Sequence, residues 1–549
     1  MAGLQEAFDT IGTSLERHLE ASHAAGAALA ITDREEILGV AVRGMADVAS
    51  RTPVRPETRF QIGSISKSFA AIVAMQEVDA GRLDLHVSVN VLLPWLGLPE
   101  PFGPITMHHL LTHTAGLHIG TEDALGFPGA LQLMRANPAT RPPGERFHYS
   151  NDGYKVVGAV LESITGLPIH ELLTERLLGP LGMTASVAAI TDEVFTDHAT
   201  GYEPMLTDRP AQLRHPLAPA TRTVSNTADG SIVSTVVDMC AYARLLLAEG
   251  DRPDGRGGRI LSEAGFDRIM ADAVDDTDHG RYGYGLWTEL VDGATWLGHS
   301  GGMVGFTARL VAIPDEGLAC VLLQNGGGDK RGVLRSSFAT LRAGLDGSPL
   351  PGPWSPPAAT DIPDGERYAG TYAGDDGRTL VVTPEDDGLS ISIGSVTARL
   401  ERDPLADEVE PAFLVAHPAL ERHTLEFRSN GAGNVVEAFH GATWFRGERY
   451  DGPEPEEPPD EWRGHPGLYR NDDPWGPVIR IVVRKGRLAI LWPTDVSGED
   501  DGELIPLDDG SFGVGDPAVP HRVRFEGDAN GQTAVTIVDG GRWFRSFEP

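Results

Sequence analysis

The last third of the chain repeats itself. Tyr368-Ala-Gly-Thr-Tyr372 opens one segment and His465-Pro-Gly-Leu-Tyr469 opens a second. The first closes near His440-Gly-Ala-Thr-Trp-Phe-Arg446, the second near Asp539-Gly-Gly-Arg-Trp-Phe-Arg545. Gly370 and Gly467 are 97 residues apart, and Trp444 and Trp543 are 99 apart, so the copies keep step. Within each copy, runs such as TLVVTP, LSISIG, VIRIVV and RLAILW alternate between Gly, Asp and Pro punctuation. Period-two patterning gives each strand one apolar face, and many short strands bury that face by closing on themselves. The expected product is two related antiparallel β-barrels, each of under a hundred residues. Two copies mark a duplication, not a solenoid.

Proline-rich seams bracket the first copy: GSPLPGPWSPPAATDIPDG at 347–365 and DGPEPEEPPDEW at 451–462. Neither has a periodic apolar face, and both read as linkers. They divide the 549 residues into three expected domains, 1–346, 365–450 and 461–549. The first has a different character. An amphipathic helix at about 4–22 precedes the strand-like runs AGAALAITD and EILGVAVRGMA. Helices follow at 150–168, 235–249 and 331–344, with strands ATWLGHSGG, TARLVAIP and ACVLLQN before the last of them. Strands at both ends with helices between imply an α+β domain, one antiparallel sheet assembled from distant parts and flanked by helices.

Acidic residues number 79 against 45 basic ones, a net charge of −34. Such a surface repels nucleic acid and anionic membranes, and no basic stripe offsets it. No apolar run reaches the ~18 residues of a membrane span, and the N-terminus lacks the basic start and apolar centre of a signal peptide. The expectation is a cytoplasmic protein with no nucleic-acid or membrane partner, a small-molecule or short-peptide substrate, and room for a homodimer. Cys240 and Cys320 sit in apolar settings, too few for a disulfide framework or a zinc site, and are expected to be buried. His109 and His113, four apart on a helix, lack the glutamate of H-E-x-x-H, and Gly326-Gly-Gly-Asp-Lys330 lacks phosphate-loop spacing. No metal or other cofactor is expected.

The chemistry concentrates in Ser64-Ile-Ser-Lys67. Residues three apart on a helix share a face, so the hydroxyl and the amine meet, and an amine can activate a serine without a histidine. Alone this pattern is weak, because helical surfaces pair Ser and Lys by chance. Tyr149-Ser150-Asn151 supplies a tyrosine able to shuttle a proton beside a cation, and an amide to hold the lysine and a substrate. It also reads as a turn and helix N-cap. In His299-Ser300-Gly301-Gly302, at a predicted strand end, glycines let a substrate backbone approach. They also free an N–H to form an oxyanion hole with that of Ser64. A glycine-rich hairpin with an incidental histidine would look the same.

Taken in order, these three elements resemble the serine β-lactamase and penicillin-recognising hydrolase family, and within it the class C β-lactamase-like branch. LLTHTAGL at 110–117 and PPGERFHYSNDGY at 142–154 are near-verbatim family phrases, and the resemblance covers roughly residues 5–345. It implies that Ser64 attacks an acyl carbon, Lys67 and Tyr149 share the proton work, Asn151 positions the substrate and His299 lines the leaving side. The Ser64 and Gly302 amides would bind the oxyanion, beside Gly301. No E-x-x-L-N glutamate is evident, so deacylation falls to Tyr149 or the substrate's own amine. His299 stands where most β-lactamases and carboxypeptidases carry a carboxylate-anchoring lysine, which favours esters, amides and peptides cut from the amino end.

A penicillin-recognising domain followed by two small barrels is the layout of the bacterial D-aminopeptidases. That resemblance implies a specificity loop from the last barrel, here 493–503. Its Asp495, Glu499, Asp500 and Asp501 would pair with a substrate ammonium, or else form a solvated acidic hairpin. The expected function is a serine hydrolase working through an acyl-enzyme, an aminopeptidase or amidase releasing N-terminal D-amino acids. The alternatives are an esterase or acyl transferase of the same family, and a non-catalytic penicillin-binding sensor.

Overall fold

Nine antiparallel strands form the sheet that organises the first part of the chain. The computed structural model describes residues 2–120, 126–253, 257–276, 280–328, 330–403, 412–494, 502–516, 519–528 and 531–547. The strand order is Thr52–Pro53, Ile37–Asp47, Ala24–Thr32, Leu318–Gly326, Phe306–Ile313, Ala294–Met303, Trp287–Val291, Gly280–Tyr282 and Val274–Asp276. The sheet thus joins the two ends of the domain: Ala28 faces Val42 on one side and Leu323 on the other. The central strands AAGAALAIT and LACVLLQNG are buried almost throughout. Their near-continuous apolar runs are what a strand covered on both faces requires. Helices Ala2–Glu20 and Arg331–Asp346 pack on the sheet through Ile11, Leu15, Leu334 and Phe338, which join Leu29, Ile31, Val311 and Leu322 in one core. Cys240 and Cys320 are free and buried.

Two local features place the chemistry. Helix Ser66–Asp79 (SKSFAAIVAMQEVD) is buried nearly all round, so it runs through the core, not over the surface. Helix Asn151–Thr165 starts on Ser150, whose hydroxyl accepts the Gly153 N–H, and ends at Gly166 with φ +74°. Both are favoured helix caps.

The duplicated segments form two closed eight-stranded barrels, with strands from Gly370 to Gly447 and from Gly467 to Ser546. Inward residues alternate with outward ones, as in Gly388–Ile393, where Leu389, Ile391 and Ile393 are buried. The repeat extends to single hydrogen bonds: Tyr372 Oη donates to the Tyr368 carbonyl, and Tyr469 Oη to that of His465.

The chain divides into two units, and the division differs from the seam. Residues 1–203 and 217–355 form the first; residues 204–216 and 356–549 form the second. The chain therefore crosses between them three times. Within the second unit, Arg209 and Arg214 each donate to Glu421 at 2.7 Å, and Gln212 Nε2 donates to the Val415 carbonyl. Glu421 is buried, so these guanidinium groups offset its desolvation. Nothing in the composition of PMLTDRPAQLRHP marks it as a crossing.

The first barrel also carries two histidines shielded from water, His440 buried and His423 half-buried. Burial, with Arg480 nearby, lowers His423 to about 2; burial lowers His440 to about 4. Both lie below the ordinary 6.5, so their contribution to stability is complete above that pH and is lost as pH falls through it. The apparent stability of the full chain should drop between pH 6.5 and 5 by about 1.4 kcal/mol per pH unit for each such histidine. Thermal midpoints measured across that range check this; a flat profile would contradict it.

Candidate active site

Ser64 lies in the short 3₁₀ turn Gly63–Ile65, just before the buried helix, and is 6% exposed. Backbone and side-chain bonds clamp the turn. Ile62 N donates to the Ile232 carbonyl at 3.0 Å, and Ile232 N donates to Ser66 Oγ at 3.1 Å. Strand Ala294–Met303 lies against the same turn. A Cβ at Gly301 would run into the Ile62 carbonyl oxygen, and one at Gly63 (φ +52°) would meet Gly302 N at 2.6 Å. Glycine is needed here for close backbone approach. Gly301→Ala is therefore expected to push the strand away from Ser64, and a misplacement near 1 Å costs about 10²-fold in kcat. Steady-state kinetics on a protein whose circular dichroism is unchanged would show it.

Lys67 is fully buried, and its Nζ lies within hydrogen-bond distance of Ser64 Oγ at 2.8 Å, Asn151 Oδ1 at 2.7 Å and the Asp229 carbonyl at 2.8 Å. Asn151 Nδ2 donates to the Gly120 carbonyl at 3.1 Å, which fixes the amide with its oxygen toward the lysine. Lys67 Nζ is 5.0 Å from the centre of the Tyr149 ring. The Tyr149 ring is 6.4 Å from that of His299. The structure thus brings Ser64, Lys67, Tyr149, Asn151, His299, Gly301 and Gly302 together. Asp495, Glu499, Asp500 and Asp501 lie outside the described residues.

Two expectations need correction. His299 is not at a strand end: Ala294–Met303 continues through it and both glycines, pairing with Phe306–Ile313. His109 and His113 do not share a helix either, because Met107–Leu111 ends first and His113 turns to φ +55°. His109 instead completes a capping box with Thr106.

Sequence reasoning missed a buried charge network behind Lys67. Lys155 Nζ is 2.9 Å from Asp152 Oδ1 and 4.0 Å from Asp229 Oδ2, and His118 Nε2 is 3.0 Å from Asp152 Oδ2. Burial pushes the Asp229 carboxyl up to about 6, against the pull of Lys155 and Lys67. The four-residue step from Asn151 to Lys155 was the available signal, since it puts both on one helix face. Asp229 acts on Lys67 through its backbone, and no side-chain pattern announces that. Among the described residues, no group of three or more His, Cys, Asp or Glu is arranged to hold a metal ion.

A family model named Beta-lactamase matches residues 13–343, more than half of the chain. The chain belongs to the Beta-lactamase family. Like its relatives in this family, it is a serine hydrolase. Penicillin-binding protein 4 of Amycolatopsis lactamdurans is 28% identical over 382 residues, covering 67% of this chain and 96% of that protein. A D-aminopeptidase of Gluconobacter oxydans is 26% identical over 311 residues, 55% of either chain, so this Beta-lactamase-family chain spans about half of that relative. The octameric penicillin-binding protein homologue of Pyrococcus abyssi shares the fold with a TM-score of 0.56 at 23% identity, over 80% of this chain and 99% of that one. Among the described residues, no single helix is long and apolar enough to cross a membrane.

Proposed function

We propose that this hydrolase releases N-terminal D-amino acids from amides and short peptides through an acyl-enzyme on Ser64. The observation that carries the reading is the lysine cage. Asn151 Oδ1 and the Asp229 carbonyl accept two of the Lys67 hydrogens; with Lys67 taken as an ammonium ion, the third points at Ser64 Oγ and no lone pair is left for the serine proton. Tyr149, beside that cation, then serves as the base. Ser64 Oγ bonds to the acyl carbon as its proton passes to Tyr149, and the oxyanion is held by the Ser64 and Gly302 amides. The carbon–nitrogen bond breaks as Tyr149 returns the proton to the departing amine. Water, activated by Tyr149, repeats the sequence and frees the acid.

The choice of D-amides draws support from the D-aminopeptidases among the relatives and from a histidine in place of a cationic anchor at position 299. A panel of D- and L-alanine p-nitroanilide, p-nitrophenyl acetate and nitrocefin tests it. Multiple turnovers on the D-anilide, well above the L-isomer, are expected. Turnover of the ester alone would make the protein an esterase, and no turnover on any of the four would overturn the reading. Hydroxylamine as a competing acceptor separates transfer from hydrolysis.

A further inference from the structure

The LLTHTAGL segment has no part in the chemistry above, yet its histidine reaches the site. His113 is buried, and its Nδ1 accepts the Ser150 N–H at 3.0 Å, next to Tyr149. A ring nitrogen that accepts carries no hydrogen, so neutral His113 donates from Nε2. Its partner is Tyr282 Oη at 3.2 Å. Tyr282 Oη is also 2.9 Å from His299 Nε2, and His299 Nδ1 pairs with the Ser300 carbonyl. A carbonyl only accepts, so Nδ1 of His299 carries a hydrogen. In neutral His299, Nε2 is then an acceptor and takes the Tyr282 hydrogen. Donation runs one way, from Ser150 N–H through His113, Tyr282 and His299 to the Ser300 carbonyl.

The opposite arrangement is unfavourable. A second hydrogen on His299 would place a cation at a buried position near Lys67, with Tyr149 and Tyr282 as its ring neighbours. Tyr282 Oη would then face two donors and have to turn its own hydrogen elsewhere. Tyr154 Oη donates to the Leu111 carbonyl at 2.9 Å and keeps lone pairs that can take that hydrogen, so it is the second buried charge near Lys67 that disfavours this arrangement. Burial and the nearby Lys67 also oppose a charge on His113, which keeps the donor end of the relay neutral.

We infer that His113 and Tyr282 are positioning residues that lock His299 as its Nδ1–H tautomer, uncharged and with both nitrogens engaged inside the protein. The lock sets substrate class. An acyl donor with a carboxylate next to its scissile bond meets an uncharged ring there, whereas a carboxylate-free D-aminoacyl amide loses nothing. This consequence rests on Ser64 being the nucleophile; the tautomer itself does not.

Two-bond ¹H–¹⁵N spectra of the full-length [¹⁵N]histidine-labelled protein test the lock, with the His299 signals identified by their loss in His299→Gln. The wild-type spectrum should show His299 as the Nδ1–H tautomer. Tyr282→Phe, which removes one hydroxyl, should give the averaged pattern of exchanging tautomers. His113→Asn should do the same, since asparagine tolerates a positive φ. In kinetics, Tyr282→Phe should lower the ratio of kcat/KM for D-alanine p-nitroanilide over nitrocefin about tenfold, mainly through KM for nitrocefin. Wild-type His299 found as the Nε2–H tautomer or as a cation would overturn the lock, as would an unchanged tautomer in both variants. An unchanged ratio would overturn the role in specificity. Absence of all turnover would strike the hydrolase reading alone, because the spectra still decide the lock.

Discussion

Replacing Ser64 with alanine is expected to lower kcat by on the order of 10⁴–10⁶ while leaving the fold intact. The size of the effect follows from the geometry. Ser64 Oγ is the nucleophile in the proposed reaction, and it lies 2.8 Å from Lys67 Nζ. The fold survives because Lys67 keeps Asn151 Oδ1 and the Asp229 carbonyl as acceptors. Lys67→Ala should be as inactive but less stable, because it strands those two buried acceptors at about 1–3 kcal/mol each. Steady-state turnover together with thermal midpoints separates the two variants. A Ser64→Ala protein retaining a hundredth of wild-type kcat would remove Ser64 from its role.

Asp152→Ala should be the most destabilising single change in the catalytic unit, by about 3–5 kcal/mol. Asp152 and Lys155 are both buried, and Asp152 faces His118 as well as the lysine. Removing the carboxylate leaves a buried ammonium with Asp229 Oδ2 4.0 Å away. Lys155 is then drawn toward Asp229, the residue whose carbonyl holds Lys67, so kcat should fall along with stability. Chemical denaturation at pH 7.5 measures the first effect. A loss under 1 kcal/mol would mean that the network is not a desolvated ion pair.

The fold was legible where burial writes a pattern. The barrels announced themselves through period-two alternation, and the central strands through unbroken apolar runs. The reactive groups were legible because S-x-x-K, Y-S-N and H-S-G are short and keep their order. What escaped was carried by backbone or by long-range packing. Asp229 holds Lys67 with a carbonyl, which any residue type provides. Tyr282 lies 17 positions from His299 and 169 from His113, and only the folded sheet brings the three together. Nothing in residues 204–216 marks where they pack, because their partner, Glu421, lies some two hundred positions downstream.

That last excursion bears on how such a gene can change over time. The proline-rich stretch at 347–365 looks like a natural breakpoint for exchanging barrels between lineages. A recombinant joined there would receive Glu421 without Arg209 and Arg214, burying a carboxylate with neither guanidinium. The barrels and residues 204–216 must therefore be inherited as one package. This architecture can diverge by gradual substitution far more readily than by cassette exchange.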